Sequence, residues 1–261
     1  MKGIGIFLIL FIGVAASGCL TQEYNTATGK EDLIFVTTEK EQGIGKGIAE
    51  GIEKNKDIKL DTDPLMTERV NEVGRKIAAV SDRKEVAYTF RVIDKEDVNA
   101  FALPGGYVFV FSGLVQKVEN DDELASVIAH EIAHVVARHS IKRLQGSIGY
   151  DILRILMAVT GAGYKDARNI DAAFGQLIMS YSREDEALAD KIAIKYLKAA
   201  GFDPMAMISF LRKLQQVDRE APIRPYVAYR SHPYLADRIR MIKQELTGEV
   251  EFEDYMNKGL E

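Results

Sequence analysis

Residues 120–139 read NDDELASVIAHEIAHVVARH, and the architecture of the chain turns on this stretch. Asn120 suits a helix N-cap, and Glu123 three positions later completes a capping box. Ala125, Ala129, Ala133 and Ala137 recur every fourth position, a ridge of small residues that lets a neighbouring helix approach closely. Beside that ridge stand His130 and His134. Residues four apart on a helix lie one above the other, so both imidazoles face the same way and can share one Zn²⁺ ion. Glu131 follows the first histidine, where its carboxylate reaches a water held by the metal.

A catalytic zinc takes three protein ligands and keeps one position open. His139 is the nearest further histidine. Nine residues after His130, it stands ~180° round a continuous helix, which predicts a structural or surface residue pointing away from the metal. A carboxylate from a later helix fits better. Residues 181–190 read YSREDEALAD, acidic and helical, with Glu186 and Asp190 one turn apart. One acid can bind the metal while another orients a ligand histidine from behind. Spacing alone does not choose between Glu184 and Glu186.

Outward from these two helices the pattern is mixed. Ile44, Ile48 and Ile52 at four-residue spacing predict a helix over 41–53. Asp63-Pro64 begins another, with Met66, Val70, Val73, Ile77 and Val80 along one face. Residues 88–93 alternate, residues 107–111 are β-branched and aromatic, and Pro104-Gly105-Gly106 between them marks a turn. Helices are predicted over 142–160, 170–200, 203–216 and 232–246, with Gly201 as a stop and Asp203-Pro204 as a start. The fold class read from these signals is α+β, helix-dominated, with one small antiparallel sheet.

The N-terminus reads differently. Lys2 precedes an apolar run over 4–16, then Ala16-Ser17-Gly18, the order of a secretory signal peptide. The run is shorter than the ~20 residues of a spanning helix, as is the apolar run over 152–159. Cys19 is the sole cysteine, so no internal disulfide exists. Its place after the small residues resembles a bacterial lipobox, which implies cleavage before Cys19, lipidation there, and a membrane anchor. Leu20, where aspartate would signal inner-membrane retention, favours the outer membrane facing the periplasm. Residues 1–18 are thus read as signal peptide, 19–40 as tether, 41–246 as the folded domain and 247–261 as an acidic tail. A net charge of −5 gives no basic footprint for nucleic acid.

The histidine motif, together with Ser182-Arg183 and Glu186-Ala187-Leu188-Ala189-Asp190, resembles metallopeptidase family forty-eight. These are the zinc gluzincins that include the CAAX prenyl protease, HtpX, BepA and LoiP. The resemblance runs from about residue 43 to 239 and takes in residues 99–106, Gly201-Phe202-Asp203-Pro204, Ser231-His232-Pro233 and Arg238-Ile239. It implies a zincin-like domain with one Zn²⁺ per chain on His130, His134 and Glu186, and Glu131 as general base. Asp190 would then set the tautomer of a ligand histidine. By the same resemblance His232 approaches the metal, as oxyanion donor or as a fourth ligand holding the enzyme latent. Asn99, Ala100, Phe101 and Ala102 become an exposed sheet edge for an extended peptide. The implied function is hydrolysis of peptide bonds in unfolded or misassembled envelope proteins. The rival reading is an envelope assembly factor or chaperone with weak peptidase activity. A structural zinc protein fits less well, since such sites close with four ligands, often cysteines. Leu188 departs from the family pattern, in which many relatives carry glutamate, and so does the absence of multiple spanning helices. Substrate, cleavage preference and oligomeric state have no signal in the sequence.

Overall fold

The computed structural model describes residues 21–25, 27–34, 36–146, 181–220 and 232–249. The signal-peptide reading, Cys19, the apolar run 152–159 and most of the tail lie outside these residues.

Helix α4 (Asp121–Val136) runs through the centre, and every residue from Glu123 to Val136 is buried. Around it stand α1 (Thr38–Lys54), α2 (Pro64–Val80), the short α3 (Ser112–Lys117) and α5 (His139–Gly146). Three later helices complete the shell: α6 (Arg183–Ala200), α7 (Ala206–Glu220) and α8 (Leu235–Thr247). Asn120 caps α4 by accepting the Glu123 N–H at 2.9 Å. The expected capping box does not close on Asn120, because the Glu123 carboxylate reaches one residue further back, to the Glu119 N–H. It also accepts from Ser209 Oγ and Lys213 Nζ, both at 2.7 Å, so this buried acid ties the start of α4 to α7.

The principal sheet is ordered β3-β5-β4, from Thr89–Ile93, Tyr107–Phe111 and Ala100–Leu103. It is mixed: β4 and β5 are antiparallel as expected, but β3 and β5 are parallel. The chain reverses once after β3 and again at the Pro104–Gly106 turn, so the first and third strands run the same way. The residues of β5 alternate between two cores. Val108 and Val110 join the core of α2, α4, α6, α7 and α8, while Phe109 and Phe111 join that of α1 and α5. β5 takes the centre of this sheet and β4 one edge, and β4 too is buried on both faces, with Ala100 and Ala102 in the first core and Phe101 and Leu103 in the second.

Two element boundaries depart from the sequence reading. The helix expected over 170–200 begins at Arg183 among the described residues, because Ser182 and Asp185 form a reciprocal capping box. That expected over 232–246 begins at Leu235, after Pro233 and a left-handed Tyr234 (φ 67°). The segment read as a tether contains a hairpin of β1 (Thr21–Asn25) and β2 (Lys30–Ile34). Its Asn25 Nδ2 donates to the Val136 carbonyl at 2.9 Å, satisfying one orphan acceptor at the end of α4.

The most extensive helix–helix packing joins α4 to α6. Ala125, Ala129, Ala133, Ala189 and Ala193 are all fully buried in the shared core. A larger side chain there has nowhere to go without moving a helix. Ala133→Leu is expected to cost ~1–3 kcal/mol by overpacking, seen as a lower thermal midpoint and reduced metal content. A variant with an unchanged midpoint and full metal content would remove this account of the alanine ridge.

Candidate metal centre and active site

The i, i+4 spacing on α4 brings His130 Nε2 and His134 Nε2 to 3.0 Å from each other. From α6, Glu186 places Oε2 at 3.3 Å from His130 Nε2 and Oε1 at 3.5 Å from His134 Nε2. Glu184, the alternative left open by spacing, is exposed on the other side of that helix. The segment before α8 contributes His232, whose Nδ1 lies 3.2 Å from His130 Nε2 and 3.1 Å from Glu186 Oε1. One ligand atom from each of these four residues falls within 4.8 Å of the others, and all four are buried. Glu131 is buried beside them, its Oε1 3.4 Å from His232 Nε2.

Behind these groups the two ring nitrogens facing away from the cluster are both engaged. His130 Nδ1 meets Asp190 Oδ1 at 2.9 Å, the place the sequence reading gives Asp190. His134 Nδ1 meets His139 Nδ1 at 2.8 Å. His139 stays outside the ligand set but does not point away: it is buried against His134. The expectation assumed one continuous helix, whereas α4 ends at Val136 and Arg138 turns left-handed (φ 57°) before α5.

Two further residues escaped the sequence reading. Arg238, on α8, grips Asp190 with Nη2 at 2.7 Å and Nε at 2.8 Å, and sets Nη1 2.8 Å from Glu186 Oε2. It was noted only as part of a family pattern, and no local spacing announces a cation that acts across three helices. Tyr181 stacks on His134 with ring centroids 3.9 Å apart, while its hydroxyl lies 3.1 Å from Ser140 Oγ.

Residues Ala100–Leu103 form strand β4, whose outer edge pairs with no other strand among the described residues. All four side chains are buried, because this apolar run feeds both cores. Asn99, just before it, is partly exposed and gives its carbonyl to the Phe111 N–H. Beside Ala100 of β4 lies a recess of about 40 Å³, lined by Glu131 and His232 together with Phe210, Leu211 and Leu214 of α7.

The charges around the cluster fit a divalent cation. With neutral imidazoles, the buried carboxylates of Glu131, Glu186 and Asp190 face the single guanidinium of Arg238, three negative charges against one positive. Burial and the Arg238 charge both disfavour protonated His130, yet Glu186 and Asp190 outweigh them and raise its pKa to about 9. Burial and the neighbouring His130 push His134 well below the usual imidazole value. Burial alone would raise Glu186, but His232, Arg238 and His130 hold its carboxyl far below the ordinary range. The acids thus demand a positive charge at the point where the imidazole nitrogens converge. Two histidines and a carboxylate, with Glu186 Oε2 lacking an aligned hydrogen bond, are a donor set suited to a metal ion.

Removing Arg238 would leave Glu186 and Asp190 buried without their cation. Arg238→Ala is expected to destabilise the metal-free protein by ~3–5 kcal/mol, measured by urea unfolding. A loss below ~1 kcal/mol, the range of surface ion pairs, would show that these charges are not held as described.

Comparison with known proteins places this geometry in context. Residues 64–246 match Peptidase family M48. A beta-barrel assembly-enhancing protease of Escherichia coli (strain K12) is 33% identical over 191 residues, covering 69% of this chain and 39% of that protein. The same-named protein of Yersinia pestis is 35% identical over 168 residues, 60% of this chain and 34% of that one. The mitochondrial metalloendopeptidase OMA1 of Schizosaccharomyces pombe is 34% identical over 178 residues, 68% and 52% respectively. The chain therefore spans about a third to a half of the length of these relatives.

Proposed function

Because the chain belongs to peptidase family M48, we propose that it is a zinc-dependent endopeptidase of the cell envelope, with the zinc held by His130, His134 and Glu186. The observation that carries the proposal is the convergence of those three donors from α4 and α6 with Glu131 buried at the same point. Bound zinc would supply a Lewis acid and a water of pKa near ~7. Glu131 takes the proton of the attacking water and returns it to the leaving amine, a role worth roughly 10²–10⁴ in rate. Asp190 accepts from His130 Nδ1, which leaves Nε2 unprotonated for the metal. Arg238 keeps Asp190 and Glu186 ionised.

Substrate is proposed to bind as an added strand along β4. In an antiparallel ladder the hydrogen-bonded pairs alternate. Since Asn99 pairs with Phe111, the backbone groups of Ala100 and Ala102 fall on the outer side, where the Ala100 N–H donates to Asn99 Oδ1 at 2.9 Å and would have to exchange that partner for substrate. Backbone pairing ignores side-chain identity, as suits a peptidase acting on unfolded or misassembled proteins. The adjoining recess, lined in part by Phe210, Leu211 and Leu214, would receive one apolar side chain near the scissile bond. The lipobox-like stretch Ala16-Ser17-Gly18-Cys19 supports lipidation at Cys19 and an envelope location, with the outer membrane as anchor. Among the described residues no helix is long and apolar enough to cross a membrane. The relatives named for β-barrel assembly and mitochondrial proteolysis support a quality-control role.

A second reading rests on His232. Its Nδ1 occupies the ligand cluster, which favours a latent form with His232 as a fourth ligand over a free oxyanion donor. Peptidase activity at rest would then be weak, as the assembly-factor reading requires.

The test is zinc content and casein cleavage by the purified protein. About one zinc per chain is expected, with Glu131→Gln retaining the zinc and losing cleavage at least ~10²-fold. A folded protein without zinc would end the proposal. His232→Ala is expected to raise cleavage if the residue latches the site; a fall would assign it to the oxyanion instead.

A further inference from the structure

A histidine that binds metal through Nε2 must carry its proton on Nδ1, and something must accept that proton. For His130 the acceptor is the Asp190 carboxylate. For His134 the group within reach among the described residues is another imidazole, His139, with the two Nδ1 atoms 2.8 Å apart. If His134 donates, His139 must accept on Nδ1 and hold its own proton on Nε2. That Nε2 is buried and has no hydrogen-bond partner; the nearest carboxylate oxygen, Asp185 Oδ1, is 3.4 Å away. With the protons the other way round, His134 would carry hydrogen on Nε2, the atom that faces His130 and Glu186.

The backbone is bent to allow this meeting. Sequence carries α4 onward without glycine or proline, yet Arg138 adopts φ 57°, uncommon for a residue with a side chain. The turn is pinned by the Arg138 guanidinium, which donates to the Val36 carbonyl at 2.8 Å and lies 2.9 Å from Glu41 Oε2. Tyr181 covers both rings, stacked on His134 and tilted against His139.

We propose that His139 is a positioning residue: it accepts the Nδ1 proton of His134 and so fixes that ring with Nε2 toward the metal, and the left-handed turn at Arg138 exists to bring it there. This rests on the reading of His134 as a zinc ligand.

The experiment measures zinc affinity by competition with a chromophoric chelator, for wild type, His139→Ala and His139→Asn. Asparagine puts a carbonyl oxygen near the place of Nδ1 and can accept the same proton. His139→Ala is expected to weaken zinc binding by ~10–100-fold, and His139→Asn to recover most of that loss. Folded His139→Ala with affinity within about twofold of wild type overturns the proposal, and so does His139→Asn as weak as His139→Ala, which would mark a packing role. Nitrogen-15 NMR of the zinc-loaded wild type decides independently of how the variants fold. The proton is expected on Nδ1 of His134 and on Nε2 of His139; a proton on Nδ1 of His139 refutes the assignment. Wild type that binds no zinc would instead remove the metal reading on which both stand.

Discussion

The structure depends on holding Glu131, Glu186 and Asp190 in the interior, close together, with the buried guanidinium of Arg238 set against Glu186 and Asp190. Each buried carboxylate is costly unless paired, and a pair recovers that cost only when its geometry is good. Arg238 meets the condition by a two-pronged grip on Asp190 and a third contact on Glu186. Since Asp190 and Glu186 lie one turn apart on α6 and face α4, the guanidinium fixes the rotation of α6 about its axis. It also fixes where α8 crosses, and with α8 the position of His232 just before it.

That constraint explains why the interface of α4 and α6 is built from alanines. Imidazoles four residues apart and a carboxylate from the next helix meet only if the helix axes come closer than branched side chains allow. Ala129 and Ala133 on α4, with Ala189 and Ala193 on α6, all fully buried, supply that closeness. Packing and electrostatics therefore select the same arrangement. The balance of three acids against one guanidinium leaves room for a divalent ion at the same place.

Much of this was legible in the chain because the signals are local. The spacing of His130 and His134, the Asp63-Pro64 start, the Asn120 cap and the Gly201 stop each act within one helical turn, and each lies where expected. The parts not legible depend on contacts between distant segments. Choosing Glu186 over Glu184 needs the rotation of α6 against α4. The parallel pairing of β3 with β5 depends on how often the chain reverses between them. The break after Val136 has no helix-stopping residue at all. Glu41, far earlier in sequence, meets Arg138 at that turn, a contact that periodicity does not carry, so His139 stands on a side that a continuous helix would not give it. The 21–34 hairpin has no clear alternation, and its Asn25 contact to Val136 is likewise tertiary.

Glu41 shows how far such a contact reaches. Its carboxylate is almost fully buried at the start of α1, where it meets Arg83 Nη1 at 2.9 Å and Arg138 Nη2 at 2.9 Å, and accepts from the Gly105 N–H at 3.4 Å. Arg83 in turn donates to the Val135 carbonyl at the end of α4. Burial opposes the charge on Arg83, but Glu41 and Glu85 more than compensate and raise its pKa. One acid thus joins the end of the histidine helix to the turn that closes edge strand β4. The helix end sets where His139 stands, and the turn sets where strand β4 ends. A displacement of Glu41 would therefore shift the histidine cluster and the strand edge together, although it touches neither. The geometry of the site is in this sense decided outside it, by an ion pair that secures two ends of chain against one carboxylate.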